Sequence, residues 1–205
     1  MKAKVCGLST AEQVKTCIDH GANYCGFILN YPKSNRFIDL EKAKELTSIK
    51  KKNTKYVGVL VNPKNDELKK FSRLNIDYFQ IYGNYKNTLI SKIKSKFGKK
   101  IIVAIQVKNR EDIFNYKHFE KAADIILWDS SGLELSLDWN FNWLKSIESK
   151  VTKMIAGNIN IDKLEKIFNL ADIVDVSGAL ETNKVKDISK IKNFLNNLKK
   201  LNNEN

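Results

Sequence analysis

A single α/β domain of the (β/α)8, or TIM-barrel, class is predicted, on three observations. Short apolar runs alternate with amphipathic stretches eight times along the 205 residues. The runs are four to six residues long and rich in Val, Ile and aromatic side chains, the composition of strands buried on both faces. Eight strand–helix units in 205 residues average about 26 residues each, near the lower size limit of a closed barrel. A chain of this length supports one substantial core, so one domain spanning 1–205 is expected.

The first strand, residues 2–6, runs into a glycine-containing turn. Ser9-Thr10-Ala11-Glu12 has the S-x-x-E form of a capping box and opens a helix over 10–20, which His20-Gly21 ends, glycine being free to take positive φ. Strand 24–28 is followed by helix 39–51, strand 56–61 by helix 65–74, and strand 78–81 by helix 87–96. The second half pairs 101–105 with 110–114, 125–128 with 141–149, 153–156 with 161–168 and 173–176 with 187–198. Asp162 and Asp187 fall near helix starts, where their charge suits the dipole. The polar tail after 198 is expected to fray. An open doubly wound sheet would alternate in the same way. Against it, the first turn, Gly7-Leu8-Ser9, lacks a G-x-G-x-x-G fingerprint, and no Walker glycine loop occurs.

Composition excludes several classes. The hydrophobic share is 42%, enough to fold without metal or disulfide staples. No run of about 20 apolar residues is present to cross a membrane. The N-terminus lacks the apolar run and cleavage site of a signal peptide, so a cytoplasmic location is expected. Cys6, Cys17 and Cys25 are odd in number with no C-x-x-C spacing, which fits free thiols in a reducing compartment and no metal site. The formal charge of +13 would suit a phosphorylated substrate or a nucleic acid. Its lysines, however, are spread over nearly every helix without a dense block or an aromatic-interleaved basic motif. No nucleic-acid or membrane partner is expected, and the chain is expected to act as a monomer.

Reacting groups in such barrels sit at the carboxyl ends of the strands. The polar residues there are Cys6, Asn30 to Arg36, Asn62, Gln80, Gln106, Asp129, Gly157-Asn158 and Asp175 to Gly178. His20 and His118 both lie away from strand ends, which leaves a thiol and a carboxylate as proton carriers. Cys6 and Asp129 end the first and sixth strands and are expected to face one another across the barrel mouth. Lys4 shares a strand face with Cys6, and a cation there is expected to lower the thiol pKa. Taken singly, a strand-end cysteine such as Cys6 is more often a small buried hydrophobe, and Asp129 reads equally as a helix cap.

The ordered set is more specific. Lys4-Val5-Cys6-Gly7-Leu8-Ser9 resembles the K-I-C-G-[LIV]-T opening of the phosphoribosylanthranilate isomerases of tryptophan biosynthesis. Gly26-Phe27 with Ser34-Asn35-Arg36 resembles the family's G-F-x-F…S-x-R, and Val57 to Asn62 its V-G-V-F-V-N. Phe79-Gln80-Ile81-Tyr82-Gly83 resembles V-Q-L-H-G, and Ile126 to Asp129 resembles L-L-L-D. Leu137-Asp138-Trp139 resembles F-D-W, Ile155 to Ile159 resembles L-A-G-G-L, and Val174 to Glu181 resembles V-D-V-S-S-G-V-E. Lys186-Asp187 matches the K-D before the last helix.

The resemblance implies an Amadori rearrangement of N-(5′-phosphoribosyl)anthranilate to 1-(o-carboxyphenylamino)-1-deoxyribulose 5-phosphate, with no cofactor. It implies Asp129 as general acid on the ring oxygen and Cys6 as general base at C2′. Protonation of Asp129 is expected to be favoured by the aromatic substrate and the neighbourhood of Trp128. Arg36 would pair with the substrate carboxylate, and Asp175 would bond the substrate or organise the strand end. Backbone amides of Gly157, Asn158, Ser177, Gly178 and Ala179 would hold the phosphate. Departures from the pattern are Tyr82 in place of histidine, Asn158 in place of the second glycine and Ala179 after Gly178. A further departure is the stretch after Asp129, which keeps only Gly132 of a glycine-rich loop. A related phosphate-sugar barrel enzyme and a non-catalytic binding barrel are the alternatives.

Overall fold

The computed structural model describes residues 1–130 and 137–204; the loop reading at Gly132 lies outside them. Eight parallel strands close into a barrel in chain order. They are β1 (Lys2–Cys6), β2 (Tyr24–Ile28), β3 (Lys55–Val61), β4 (Tyr78–Tyr82), β5 (Lys100–Val107), β6 (Ile125–Ser130), β7 (Thr152–Ile155) and β8 (Ile173–Val176). Closure comes from β8 pairing with β1, Lys2 opposite Ile173 and Val5 opposite Val176, so neither strand is left as an open edge.

The two-residue period of a strand sorts its side chains into two cores. Val5, Phe27, Phe79, Trp128 and Val174 join the helix-borne Val14, Leu46, Phe71, Ile90 and Phe194 in an outer layer. Tyr24, Val57, Val59, Tyr78, Ile102, Leu127, Met154 and Ile173 fill the barrel interior. The strands are therefore apolar on both faces, which is why they read as continuous runs.

Helices α1 (Ala11–Asp19), α2 (Leu40–Ser48), α3 (Asn65–Phe71) and α4 (Asn87–Phe97) follow the first four strands. The box that opens α1 lies one residue later than S-x-x-E indicates. Thr10 accepts from the Gln13 amide at 3.3 Å, and the Gln13 side chain accepts from the Ser9 and Thr10 amides at 2.8 and 3.2 Å. Glu12 points to solvent. Gly21, at φ 85°, makes the turn away from α1.

The second half departs further from expectation. The segments Glu111–His118 and Phe141–Ser146 are 3₁₀ turns, and Ile161–Lys163 is a 3₁₀ turn running into the single-turn α5 (Leu164–Ile167). The first two are rich in aromatic residues and Asn, which have modest helix propensity.

The last helix, α6 (Ile188–Glu204), continues past 198, where the sequence suggests a frayed tail. Leu198 is buried, and the Asn202 side chain bonds both the N-terminal ammonium and the carbonyl of Met1. A small hairpin, β9 (Glu181–Thr182) with β10 (Val185–Lys186), was not expected from the sequence. Asn183 and Lys184, at φ 52° and 63°, supply the paired left-handed residues of a tight two-residue turn. Among the described residues no helix is long and apolar enough to cross a membrane.

Candidate active site

A cavity of about 770 Å³, partly open to solvent, lies at the carboxyl ends of the strands. Cys6, Arg36, Asp129, Gly157, Asn158, Asp175, Ser177, Gly178 and Ala179 all line it. Residues from five separate parts of the chain thus converge on one space, because closing the barrel brings all eight strand ends to one rim.

Cys6 ends β1 and is 8% exposed. Two residues earlier, Lys4 is fully buried inside the barrel, its Nζ 2.7 Å from Asp175 Oδ2 on the adjacent β8. Gly26 on β2 makes room for both, since a Cβ there would lie 2.9 Å from Cys6 Sγ and 3.2 Å from Lys4 Cε. The sequence led us to expect a thiol pKa lowered by Lys4. The structure reverses the net direction: burial pushes the Cys6 thiol up, and the pull of Lys4 does not overcome it. The physical reason is that burial outweighs the cation, and Asp175, which is paired with Lys4, adds a smaller push in the same upward direction. Burial opposes the charge on Lys4, but Asp175 and Cys6 hold it above the ordinary lysine value. Asp175 in turn is pushed up by burial and pulled back by Lys4.

Asp129 lies within β6 rather than after it, level with Gln106 on β5. Its Oδ2 accepts from the Tyr82 hydroxyl at 2.7 Å, and its Oδ1 accepts from the Ser130 amide at 2.8 Å. Burial lifts its pKa to about 6, against the lowering effect of the Tyr82 bond. Trp128 takes no part in this, contrary to expectation. Its indole points outward, donating to the Ile113 carbonyl at 2.9 Å and packing against Tyr116. Successive residues of a strand face opposite ways, so Trp128 cannot share the pocket with Asp129.

Arg36 is held on the loop after β2. Its Nε and Nη2 donate to the two carboxylate oxygens of Glu181 at 2.6 and 2.9 Å, a fork matched to a planar anion. Glu181 also contacts Lys186, which faces it across the β9–β10 hairpin. One carboxylate therefore serves two cations, and this corner of the pocket keeps a surplus positive charge. The Arg36 side chain crosses directly over Gly7, where a Cβ would fall 2.5 Å from Arg36 Cδ.

The turns after β7 and β8 continue the rim beside this corner. Gly157 and Asn158 have φ of 116° and 40°, so the chain there follows a course most side chains resist. Trp139 closes over Gly157, its indole donating to the Ala156 carbonyl at 2.8 Å. The Asn158 side chain donates to Asp138 at 3.1 Å, and Lys163 donates to the Asn158 carbonyl at 2.8 Å. Ser177 ties the β8 turn to β1 by donating to the Cys6 carbonyl at 3.0 Å.

Sequence reasoning gave no role to Gln80, Tyr82, Glu181 or Lys186. Gln80 and Tyr82 carried a usable signal, being two residues apart on one strand and thus on one face. Glu181 and Lys186 stood at motif positions, but nothing in the sequence placed them beside Arg36, because an unforeseen hairpin delivers them.

The model of the family "N-(5'phosphoribosyl)anthranilate (PRA) isomerase" matches residues 3–197. The N-(5'-phosphoribosyl)anthranilate isomerase of Streptococcus mutans is 35% identical over 204 residues, covering 97% of this chain and 99% of its own. That of Clostridium acetobutylicum is 33% identical, covering 98% of each. Among solved structures, the Thermotoga maritima phosphoribosyl anthranilate isomerase has a TM-score of 0.85 at 26% identity, covering 98% of this chain and 99% of that one. A phosphoribosyl anthranilate isomerase in complex with reduced 1-(o-carboxyphenylamino)-1-deoxyribulose 5-phosphate has a TM-score of 0.80 at 26% identity, with the same coverage. The barrel, the ordered motifs and the full-length matches agree: the chain belongs to the N-(5'-phosphoribosyl)anthranilate isomerase family.

Proposed function

We propose that the chain catalyses the Amadori rearrangement of N-(5'-phosphoribosyl)anthranilate in tryptophan biosynthesis, with Asp129 as general acid and Cys6 as general base. The observation that carries this reading is the convergence of Cys6, Asp129, Arg36 and the two rim turns on one cavity. Protonated Asp129 gives its proton to the furanose ring oxygen as the C1′–O bond breaks, and the anthranilate nitrogen lone pair forms the iminium. The Cys6 thiolate then removes the C2′ proton, leaving an enolamine that tautomerises to the ketone. A carboxyl with a pKa near 6 is a usable acid close to neutrality.

Arg36 pairs with the substrate carboxylate in this reading, and the turns at Gly157-Asn158 and Ser177-Gly178-Ala179 receive the phosphate through their amides. Asp175 Oδ1 is buried, with no hydrogen-bond partner among the described residues, and is suited to accept a sugar hydroxyl. The reaction needs no metal or organic cofactor. The working form proposed is one cytoplasmic single-domain monomer.

Cys6→Ser and Asp129→Asn are each expected to lower kcat at least ~100-fold with a modest change in KM, and neither should restore growth to a tryptophan auxotroph lacking this isomerase. Wild-type turnover in either variant would overturn its assigned role. Failure of the wild-type gene to complement would return the related phosphosugar barrel to first place.

A further inference from the structure

We propose that Tyr82 is a positioning residue for the acid: its phenol holds the Asp129 carboxyl in place, and Gln80 aims that phenol. This rests on the reading of Asp129 as the acid.

Gln80 and Tyr82 both project into the barrel from β4, and both border the cavity. Tyr82 Oη lies 2.7 Å from Asp129 Oδ2, and Gln80 Nε2 lies 3.2 Å from Tyr82 Oη. The phenol oxygen receives the Gln80 proton, so its own proton is the one left to face Asp129. Gln80 is 1% exposed, its Nε2 donates to Tyr82 Oη, and its Oε1 is buried with no hydrogen-bond partner among the described residues. On β5, between the two strands, the interior residue level with Leu127 of β6 is Ala104, small enough to leave the phenol a path to β6. The arrangement acts on the acid in two ways. It fixes how the carboxyl is turned as it presents its proton to the ring oxygen, and it stabilises the carboxylate formed when the proton leaves.

The charged and titratable neighbours of Asp129 are Tyr82 on β4, Asp175 on β8 and Lys4 on β1, with Cys6 also facing Tyr82 from β1. β5 and β7 bring Gln106 and Ala156 to this level. With the thiol held up by burial and the carboxyl near 6, the acid-side break of kcat/KM reports Asp129. Below that pH the carboxyl is already protonated, and the rate climbs with the thiolate fraction. Above it, each gain in thiolate is cancelled by a loss of protonated carboxyl.

The test is the pH profile of kcat/KM together with kcat for Tyr82→Phe, Tyr82→His, Gln80→Leu and Asp129→Asn, each checked by thermal unfolding. Tyr82→Phe should lower kcat about 10-fold or more, as loss of a hydrogen bond to a charged group does. It should also move the acid-side break upward by about one pH unit, because the anion loses its donor. Tyr82→His keeps a donor and should restore both kcat and the break. Gln80→Leu, with the phenol present but unaimed, should fall between. A folded Tyr82→Phe enzyme whose break stays where the wild type has it would overturn the proposal, since packing alone would not move a titration. If Tyr82→Phe does not fold, a Gln80→Leu enzyme with wild-type kcat and break would do the same. The two readings separate on Asp129→Asn. If that variant keeps turnover, the acid assignment fails; if it is inactive while Tyr82→Phe behaves as wild type, only the role of Tyr82 fails.

Discussion

Replacing Gly26 with alanine would place a methyl carbon 2.9 Å from Cys6 Sγ, 3.2 Å from Cys6 Cα and 3.2 Å from Lys4 Cε. Ordinary contact begins near 3.4 Å, so Sγ must retreat by roughly half an ångström or more and the β1 backbone by a few tenths. The Lys4 chain has nowhere to go, being fully buried and tied to Asp175. Overpacking of this kind costs about 1–3 kcal/mol, a fall in Tm of roughly 2–12 °C for a chain of this size. The rate should suffer separately. A misplacement of about 1 Å costs on the order of 100-fold, so a shift of half that at the base should lower kcat about 10-fold. Steady-state kinetics alongside a thermal melt measures both. Gly21→Ala is the control: φ is 85° there, but nothing lies within 4 Å of the new carbon. It should lose about 1 kcal/mol of stability to backbone strain and no activity. A Gly26→Ala enzyme with kcat within twofold of wild type would refute the claim that this glycine reserves the space of Cys6, the proposed base.

Two further outcomes follow from the site's electrostatics. Asp129→Asn should lose activity and gain stability. The folded carboxyl titrates near 6, above its ordinary 3.8, so the unfolded chain releases that proton first and stability falls as pH rises from about 4 to above 6. At about 1.4 kcal/mol per pH unit, the asparagine variant should be more stable than wild type by up to ~3 kcal/mol at pH 8. Denaturant titrations should show that gain vanish near pH 4, and an equal gain at both pH values would exclude a raised carboxyl pKa. Arg36→Lys keeps the charge but loses the fork that Glu181 holds at 2.6 and 2.9 Å. It should raise KM for the anthranilate substrate about 10-fold with little change in kcat, and an unchanged KM would remove Arg36 from substrate binding.

The features legible in the sequence are those written by local rules. Continuous apolar runs such as 101–105 announce strands covered on both faces, and all eight appear in the barrel, three with the expected ends and five with an end moved by a residue or two. One of those shifts mattered, since extending β4 to Tyr82 and β6 to Ser130 placed Tyr82 and Asp129 on the interior face of their strands. Residue types at strand ends, together with motif order, picked out Cys6, Arg36, Asp129 and the two rim turns. Helix type was less legible: the 3₁₀ turns at 111–118 and 141–146 depend on how closely each connector packs on the barrel.

The sequence by itself determined the alternation of elements, the apolar faces and the set of polar groups available at the strand ends, because each depends on near neighbours along the chain. The tertiary structure decided what those groups meet. Lys4 faces Asp175 171 residues away, Arg36 faces Glu181 145 residues away, and Tyr82 faces Asp129 47 residues away. Charge, burial and proton affinity are set by such neighbours through space. That is why Lys4 does not bring the Cys6 thiol below its ordinary value, and why the Asp129 carboxyl owes its raised pKa to the barrel interior rather than to Trp128.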